Sequence, residues 1–311
     1  MSVIADLTNP ASRTEGSGAI SARGGLRGGN GGQIETSASK LRIAATAKVD
    51  TQAPKGLSGV WVLDPTDFTI SAGDTAQTDS GIGAQTLETA LAAGNVTIAT
   101  AAAGGDLGDI NVNADLLWSA NKLTLTAHNN ININAYVNAL GSSTLALNPG
   151  ATGTVKVGFD NSGRFKGGVS FGGRSGDGIL TIGGSDYTII TSLGAEGSAT
   201  GADLQGINGD LAKNYALGAD IDASATATWN SGAGFASIGD VNTQTFFSKA
   251  FDGLGHTITG LTMAPSSGFY SGLFQTLDGS SNPNSSSSVD YSLRNLGLES
   301  VSFSGNGFAV G

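Results

Sequence analysis

Asn95-Val96-Thr97-Ile98, Ile110-Asn111-Val112-Asn113, Leu123-Thr124-Leu125-Thr126, Ile131-Asn132-Ile133-Asn134 and Leu145-Ala146-Leu147-Asn148 are five short segments in which apolar residues alternate with polar or small ones. A period of two puts one set of side chains on each face, the mark of a half-buried strand. The apolar starts at 96, 110, 123, 131 and 145 are 14, 13, 8 and 14 residues apart, so every second strand returns after 27, 21 and 22. That spacing predicts an all-β, right-handed parallel β-helix, elongated, in which inward Val, Ile and Leu stack into columns that no single repeat buries alone. Ten asparagines lie between Asn95 and Asn148. Asn tolerates left-handed backbone at corners and can stack its amide on the next repeat, so both roles suit such a fold. An antiparallel sandwich of short strands is the competing architecture.

Composition agrees. The 311 residues include 49 Gly, no Cys, 39% hydrophobic and 13% charged residues, too few charged helix formers for a helical protein. The absence of Cys excludes disulfide scaffolds, Cys-ligated metal and Cys nucleophiles. A net charge of -10 repels nucleic acid and anionic lipid, and no apolar run approaches membrane-spanning length, so neither a nucleic-acid partner nor membrane insertion is expected. The start, Met1 to Asp6, lacks the basic-then-apolar pattern of a signal peptide, so the chain reads as a fragment or mature product.

Gly31-Gly32-Gln33-Ile34-Glu35-Thr36-Ser37, followed by Trp61-Val62-Leu63-Asp64-Pro65-Thr66-Asp67-Phe68-Thr69-Ile70, resembles the passenger of filamentous-haemagglutinin-type, two-partner-secreted adhesins of Gram-negative bacteria. The resemblance continues through Gly108 to Asn113, Trp118-Ser119 and Leu123 to Leu125. It implies a β-helix that is secreted or held at the cell surface. Trp61 and Trp118 read as core aromatics, and Asp64 to Asp67 as a turn. Thr86 to Gly94 predicts a helical turn that leads into the strand at Val96, with Leu87, Ala90 and Leu91 on one face and Gly94 as its stop.

The resemblance implies a haemagglutinin-type β-helix segment over residues 1–190. In 191–311 the runs Asp203 to Asn208, Asn214 to Ala223, Phe251 to Leu261, Gly272 to Phe274 and Leu293 to Leu298 resemble the Gly-Leu-rich (GLUG) repeats of secreted bacterial surface proteins, which implies more β-solenoid. Ser280 to Ser288, around Asn282-Pro283-Asn284, reads as a low-complexity loop.

Chemistry is sparse. The glycine run Gly24 to Gly32 lacks the strand, Lys-Ser/Thr and helix of a phosphate cradle. Gly172 to Leu180 approximates a calcium-binding nonapeptide, but with Ser175 in a glycine position and a single copy. His128 and His256 read as turn residues, and no nucleophile elbow accompanies them. The expectation is therefore a non-catalytic structural or adhesive segment of a large secreted surface or biofilm-matrix protein, without cofactor or metal. Its partners are host-cell or matrix glycans or proteins, or other copies of itself. Phe246, Phe247, Phe269 and Tyr270 are candidate sugar-stacking residues. The alternative is a β-helix enzyme, a polysaccharide lyase or hydrolase or a peptidase passenger, with Asp220 and Asp222 on one strand face as its carboxylate pair.

Overall fold

In a computed structural model, residues 1–240, 242–264, 270–275, 292–304 and 308–309 are described. Mostly strand, they form two compact units, Met1–Gly172 with Gly178–Asp186, and Gly173–Asp177 with Tyr187–Gly311. The Ser280 to Ser288 loop and Phe269 lie outside the described residues.

In the first unit the chain repeatedly lays down up to three strands, and each pairs with its counterpart one repeat later. One sheet takes Gln33–Ser37, Val60–Asp64, Asn95–Ala99, Lys122–Thr126 and Thr144–Asn148 in that order. A second takes Phe68–Ser71, Ile110–Val112, Ile131–Ile133 and Val155–Val157, and a third Leu116–Trp118, Tyr136–Ala139 and Gly168–Ser170. All the pairings among these strands are parallel, which counts against the antiparallel sandwich. Val96 sits opposite Leu123, Ile110 opposite Ile131 and Leu123 opposite Leu145, so the intervals of 27, 21 and 22 residues predicted by alternation are the actual register.

The physical cause is burial on alternate positions. Val96, Ile98, Leu123, Leu125, Leu145 and Leu147 are at most 1% exposed, whereas Thr97, Thr124 and Thr126 between them keep partial contact with solvent. Trp61 and Trp118 are core residues at 3% and 5% exposure. The helix is Ala84–Ala93, with Leu87, Ala90 and Leu91 buried, and the chain re-enters the first sheet at Asn95. It lengthens one repeat, so that Val60 to Asn95 takes 35 residues where Gln33 to Val60 takes 27.

The glycine run has a packing role. A Cβ on Gly31 would lie 2.0 Å from the Thr51 carbonyl oxygen, and one on Gly59 2.0 Å from that of Gly32. Backbone therefore lies directly on backbone here, and the run serves contact between repeats.

The second unit is built differently. Its strands are short, Asn214–Leu217, Ile221–Asp222, Phe251–Asp252, Thr257–Thr259 and Gly297–Glu299, and 3-10 turns occupy Gln205–Gly209 and Ser224–Gly232. Pairing stays parallel, with Tyr215 opposite Phe251 and Ile221 opposite Ile258. The core is aromatic, with Phe247 and Phe274 rings 5.0 Å apart and Phe251 edge-on to Phe274 at 5.3 Å. Ile258 and Leu261 point inward as expected, and Gly260, at φ +74°, makes the irregular step between them.

Candidate functional site

The densest constellation of functional groups is a polar ladder on the outer face of the first unit. Asp109 Oδ1 accepts the backbone N–H of Asn130 at 2.9 Å, Asn132 Nδ2 donates to Asn111 Oδ1 at 2.9 Å, Asn134 Nδ2 donates to Asn113 Oδ1 at 2.9 Å, and Asp115 Oδ1 accepts the N–H of Tyr136 at 2.8 Å. All four bonds span 21 residues, one repeat. The signal is visible in the chain: Asp109-Ile-Asn-Val-Asn-Ala-Asp115 lies over Asn130-Ile-Asn-Ile-Asn-Ala-Tyr136, nearly residue for residue. Alternate residues face outward, so the apolar partners of the same two stretches stack inside.

Other carboxylates of the first unit also reach across repeats. Asp67 Oδ1 takes the N–H groups of Gly108 and Asp109, at 2.7 and 2.8 Å, so Asp67 braces the next repeat. Burial, then the nearby Glu35 charge, raises Asp64 above the ordinary carboxylate value. Asp106 meets Lys40 Nζ at 2.5 Å and accepts Thr66 Oγ1 at 2.5 Å; bonds from Lys40 and then Thr66 lower its pKa. These three residues are 26 and 40 positions apart in sequence, and no local pattern announced their meeting. Asp106, Asp109 and Asp115 thus each have a different partner, and all serve as acceptors.

Asp220 and Asp222, the carboxylates of the enzyme alternative, are both exposed and have separate partners. Asp220 Oδ1 accepts the N–H of Thr257 at 2.9 Å and faces His256 Nδ1 at 3.2 Å, while Asp222 Oδ1 accepts the N–H of Ser224 at 2.9 Å. The latter is an Asx turn, which backbone N–H bonding favours over shared acid-base work. His256 is buried at the corner, as its turn position suggested, and His128 is exposed in a turn.

Among the sugar-stacking candidates, Phe247 is a correction. It is wholly buried between Tyr215 and Phe274, because the second unit fills its core with rings where the first uses aliphatic columns. Phe246 is half-buried, and Tyr270 lies in the strand Tyr270–Ser271.

Three groups escaped sequence reasoning. Gln205, 1% exposed, donates Nε2 to the Ala236 carbonyl and accepts the Ala236 N–H through Oε1, both at 3.0 Å. Asn208 does the same for Ser237 O and Gly239 N–H, at 3.1 and 2.8 Å. These amides substitute for a strand edge. The third is Asp252, 1% exposed, whose Oδ1 receives Leu254 N–H and Asn295 Nδ2, both at 2.9 Å, with Arg294 Nε 3.9 Å from Oδ2. Burial outweighs these contacts and pushes its pKa up to about 6.

An open cavity of about 340 Å³ is lined by residues including Asn230, Phe235, Asp240 and Met263, and another of about 460 Å³ by residues including Gln85, Glu88, Asn113 and Asp115. In the latter both acids are engaged, Glu88 by the N–H of Leu117 at 2.8 Å and Asp115 by Tyr136. Among the described residues no cluster of three His, Asp or Glu side chains is placed to hold a metal, and no helix is long and apolar enough to cross a membrane.

Over 120 residues, 35% of this chain, the sequence is 41% identical to Halomucin of Haloquadratum walsbyi. The matched part is 1% of Halomucin, so the chain spans a very small share of that relative's length. No protein-family model matches the chain, and no solved structure matches it.

Proposed function

We propose that this chain is a structural, surface-displayed segment of a very large exported protein, folded as a right-handed parallel β-helix and without catalytic activity. The observation that carries the reading is the ladder of four side-chain bonds, each spanning 21 residues, beside apolar columns in the same register. Carboxylates and amides that an enzyme would turn toward a substrate are spent here on joining one repeat to the next. Right-handedness follows from the strong preference of parallel crossover connections for that hand. Similarity to Halomucin, of which the matched 120 residues are 1%, supports a segment of a very large protein. Surface or matrix glycans, proteins or further copies of the chain are its partners in this reading. Export by a two-partner route from a Gram-negative bacterium is the more specific proposal made by the haemagglutinin-like motif, and flanking gene sequence tests it.

Two measurements test the role. Antibody against the chain labels intact, unpermeabilised cells if the reading holds; labelling only after lysis overturns it. Purified chain incubated with a panel of polysaccharides and with casein is expected to release neither reducing ends nor peptides. Turnover lost on Asp220→Asn or His256→Gln would transfer the chain to the enzymes.

A further inference from the structure

The register between Val137 and Val169 takes 32 residues, where the same sheet takes 21 from Leu116 to Val137. Much of the surplus is the loop Gly158–Lys166, and its chemistry differs from the rest of the chain. Between Asp115 and Asp177 the sequence holds five cations and a single acid, Asp160, in a chain of net charge -10. Three of those cations, Lys156, Arg164 and Lys166, fall within eleven positions and are exposed, without an ion pair among the described residues.

The loop is ordered in advance. Asp160 Oδ1 accepts the N–H of Ser162 at 2.8 Å, its hydroxyl at 2.7 Å and the N–H of Arg164 at 3.0 Å, while Lys166 N–H closes onto Gly158 O at 2.9 Å. Bonds from Ser162 and Arg164 hold the Asp160 carboxyl below its ordinary value, so this acid is committed to the turn. Phe159 and Phe165 face each other across the loop, ring centroids 4.7 Å apart and nearly parallel at 26°. Phe159 nevertheless stays 59% exposed. A ring pair held in place with Phe159 exposed, in a stretch that also carries three exposed cations, is a binding surface whose ordering cost is met on folding.

We propose that the loop Gly158–Lys166 binds an acidic polysaccharide. The open face of Phe159 stacks on the apolar face of a sugar ring, and Lys156, Arg164 and Lys166 pair with its carboxylate or sulfate groups. Charge complementarity selects the partner, since this is a cationic site on an acidic chain. Duplex nucleic acid, with one charge per ~1.7 Å of axis, is a denser anion than a polysaccharide with one carboxylate per sugar, so the acidic chain opposes it more strongly. A bilayer fits poorly, because the residues between the two rings, Asp160 to Arg164, are polar or glycine and all exposed. The inference gives a ligand class to the surface role proposed above, but its test needs only purified chain.

The test is surface plasmon resonance of the intact chain over immobilised alginate, a polyuronate, with neutral dextran as reference. Binding to alginate at least ~10-fold stronger than to dextran is expected, weakening as added salt shortens the screening length. Arg164→Gln with Lys166→Gln should lower it at least ~10-fold and Phe159→Ala about 5-fold, roughly one aromatic contact. Both variants should keep the parent circular dichroism and Tm, and Lys122→Gln, outside the loop, should bind as the parent does. Absence of binding, equal binding to dextran, or loop variants that bind normally would each overturn the proposal. So would tighter retention on oligo-dT or on phosphatidylglycerol vesicles, which would hand the loop to a different partner. None of these results alters cell-surface labelling, so this proposal and the surface reading fail separately.

Discussion

The two units solve the same stacking problem with different materials. In the first, strands of three to five residues carry aliphatic columns inside and an amide ladder outside, and backbone pairing extends over as many as five consecutive residues, as between Lys122–Thr126 and Thr144–Asn148. In the second, pairing falls from four residues between Tyr187–Ile190 and Asn214–Leu217 to two between Tyr215-Ala216 and Phe251-Asp252, and rings fill the core. Side-chain amides at Gln205 and Asn208 take over where no strand is available. Cohesion is spread along the ladders of the first unit and concentrated in a few buried groups of the second. Single substitutions should therefore cost more in the second.

The largest effect tests this directly. Phe251→Ala removes a wholly buried ring and should cost about 3–5 kcal/mol, against about 2–5 for Leu125→Ala in the first unit. Urea midpoints of each variant against the parent chain, followed by circular dichroism, measure it. A smaller loss at Phe251 than at Leu125 would break the contrast. Next, Gln205→Leu leaves the Ala236 N–H and carbonyl without their partners, an expected loss of about 2–4 kcal/mol. A neutral result would mean that the amide bracket holds nothing.

Asp252 sharpens the comparison from the opposite side, since one buried acid weakens the second unit. Its folded pKa of about 6 lies above the ordinary carboxylate value of 3.8, so the folded chain holds the proton more tightly. Stability contributed by this group falls as pH rises from about 4 to 6 and stays low above. Asp252→Asn should thus raise stability at pH 7.5 by up to about 3 kcal/mol, a gain that vanishes near pH 4. Paired melts at the two pH values check it; an equal effect at both would remove titration as the cause. The smallest change is Asn132→Ala on the ladder, about 0.5–1.5 kcal/mol, because its neighbours bridge the same two repeats. A loss of several kcal/mol there would show that the ladder is as concentrated as the aromatic core.

Alternation in the chain made the first unit legible. Asn95 to Asn148 announced five strands, their 21- to 27-residue return and the outer asparagines, and the Leu87, Ala90, Leu91 spacing announced the helix. The strands Leu116–Trp118 and Tyr136–Ala139 were not marked out, as Leu116-Leu117-Trp118 is apolar throughout and hides its period. In the second unit pairings of two residues are too short to show a period, and Phe247 looked available for a ligand although it is core.

What the sequence by itself determined is which face each residue takes within a repeat, because side-chain direction in a strand depends only on local backbone geometry. Which residues meet across repeats was decided by tertiary structure. That choice depends on the length of every insertion between strands, such as the helix Ala84–Ala93 and the loop Gly158–Lys166. Lys40 with Asp106, Gln205 with Ala236 and the burial of Asp252 exist only once those lengths have been folded away. Desolvation and hydrogen bonding act through space, and nothing in the local pattern records the distance they will cover.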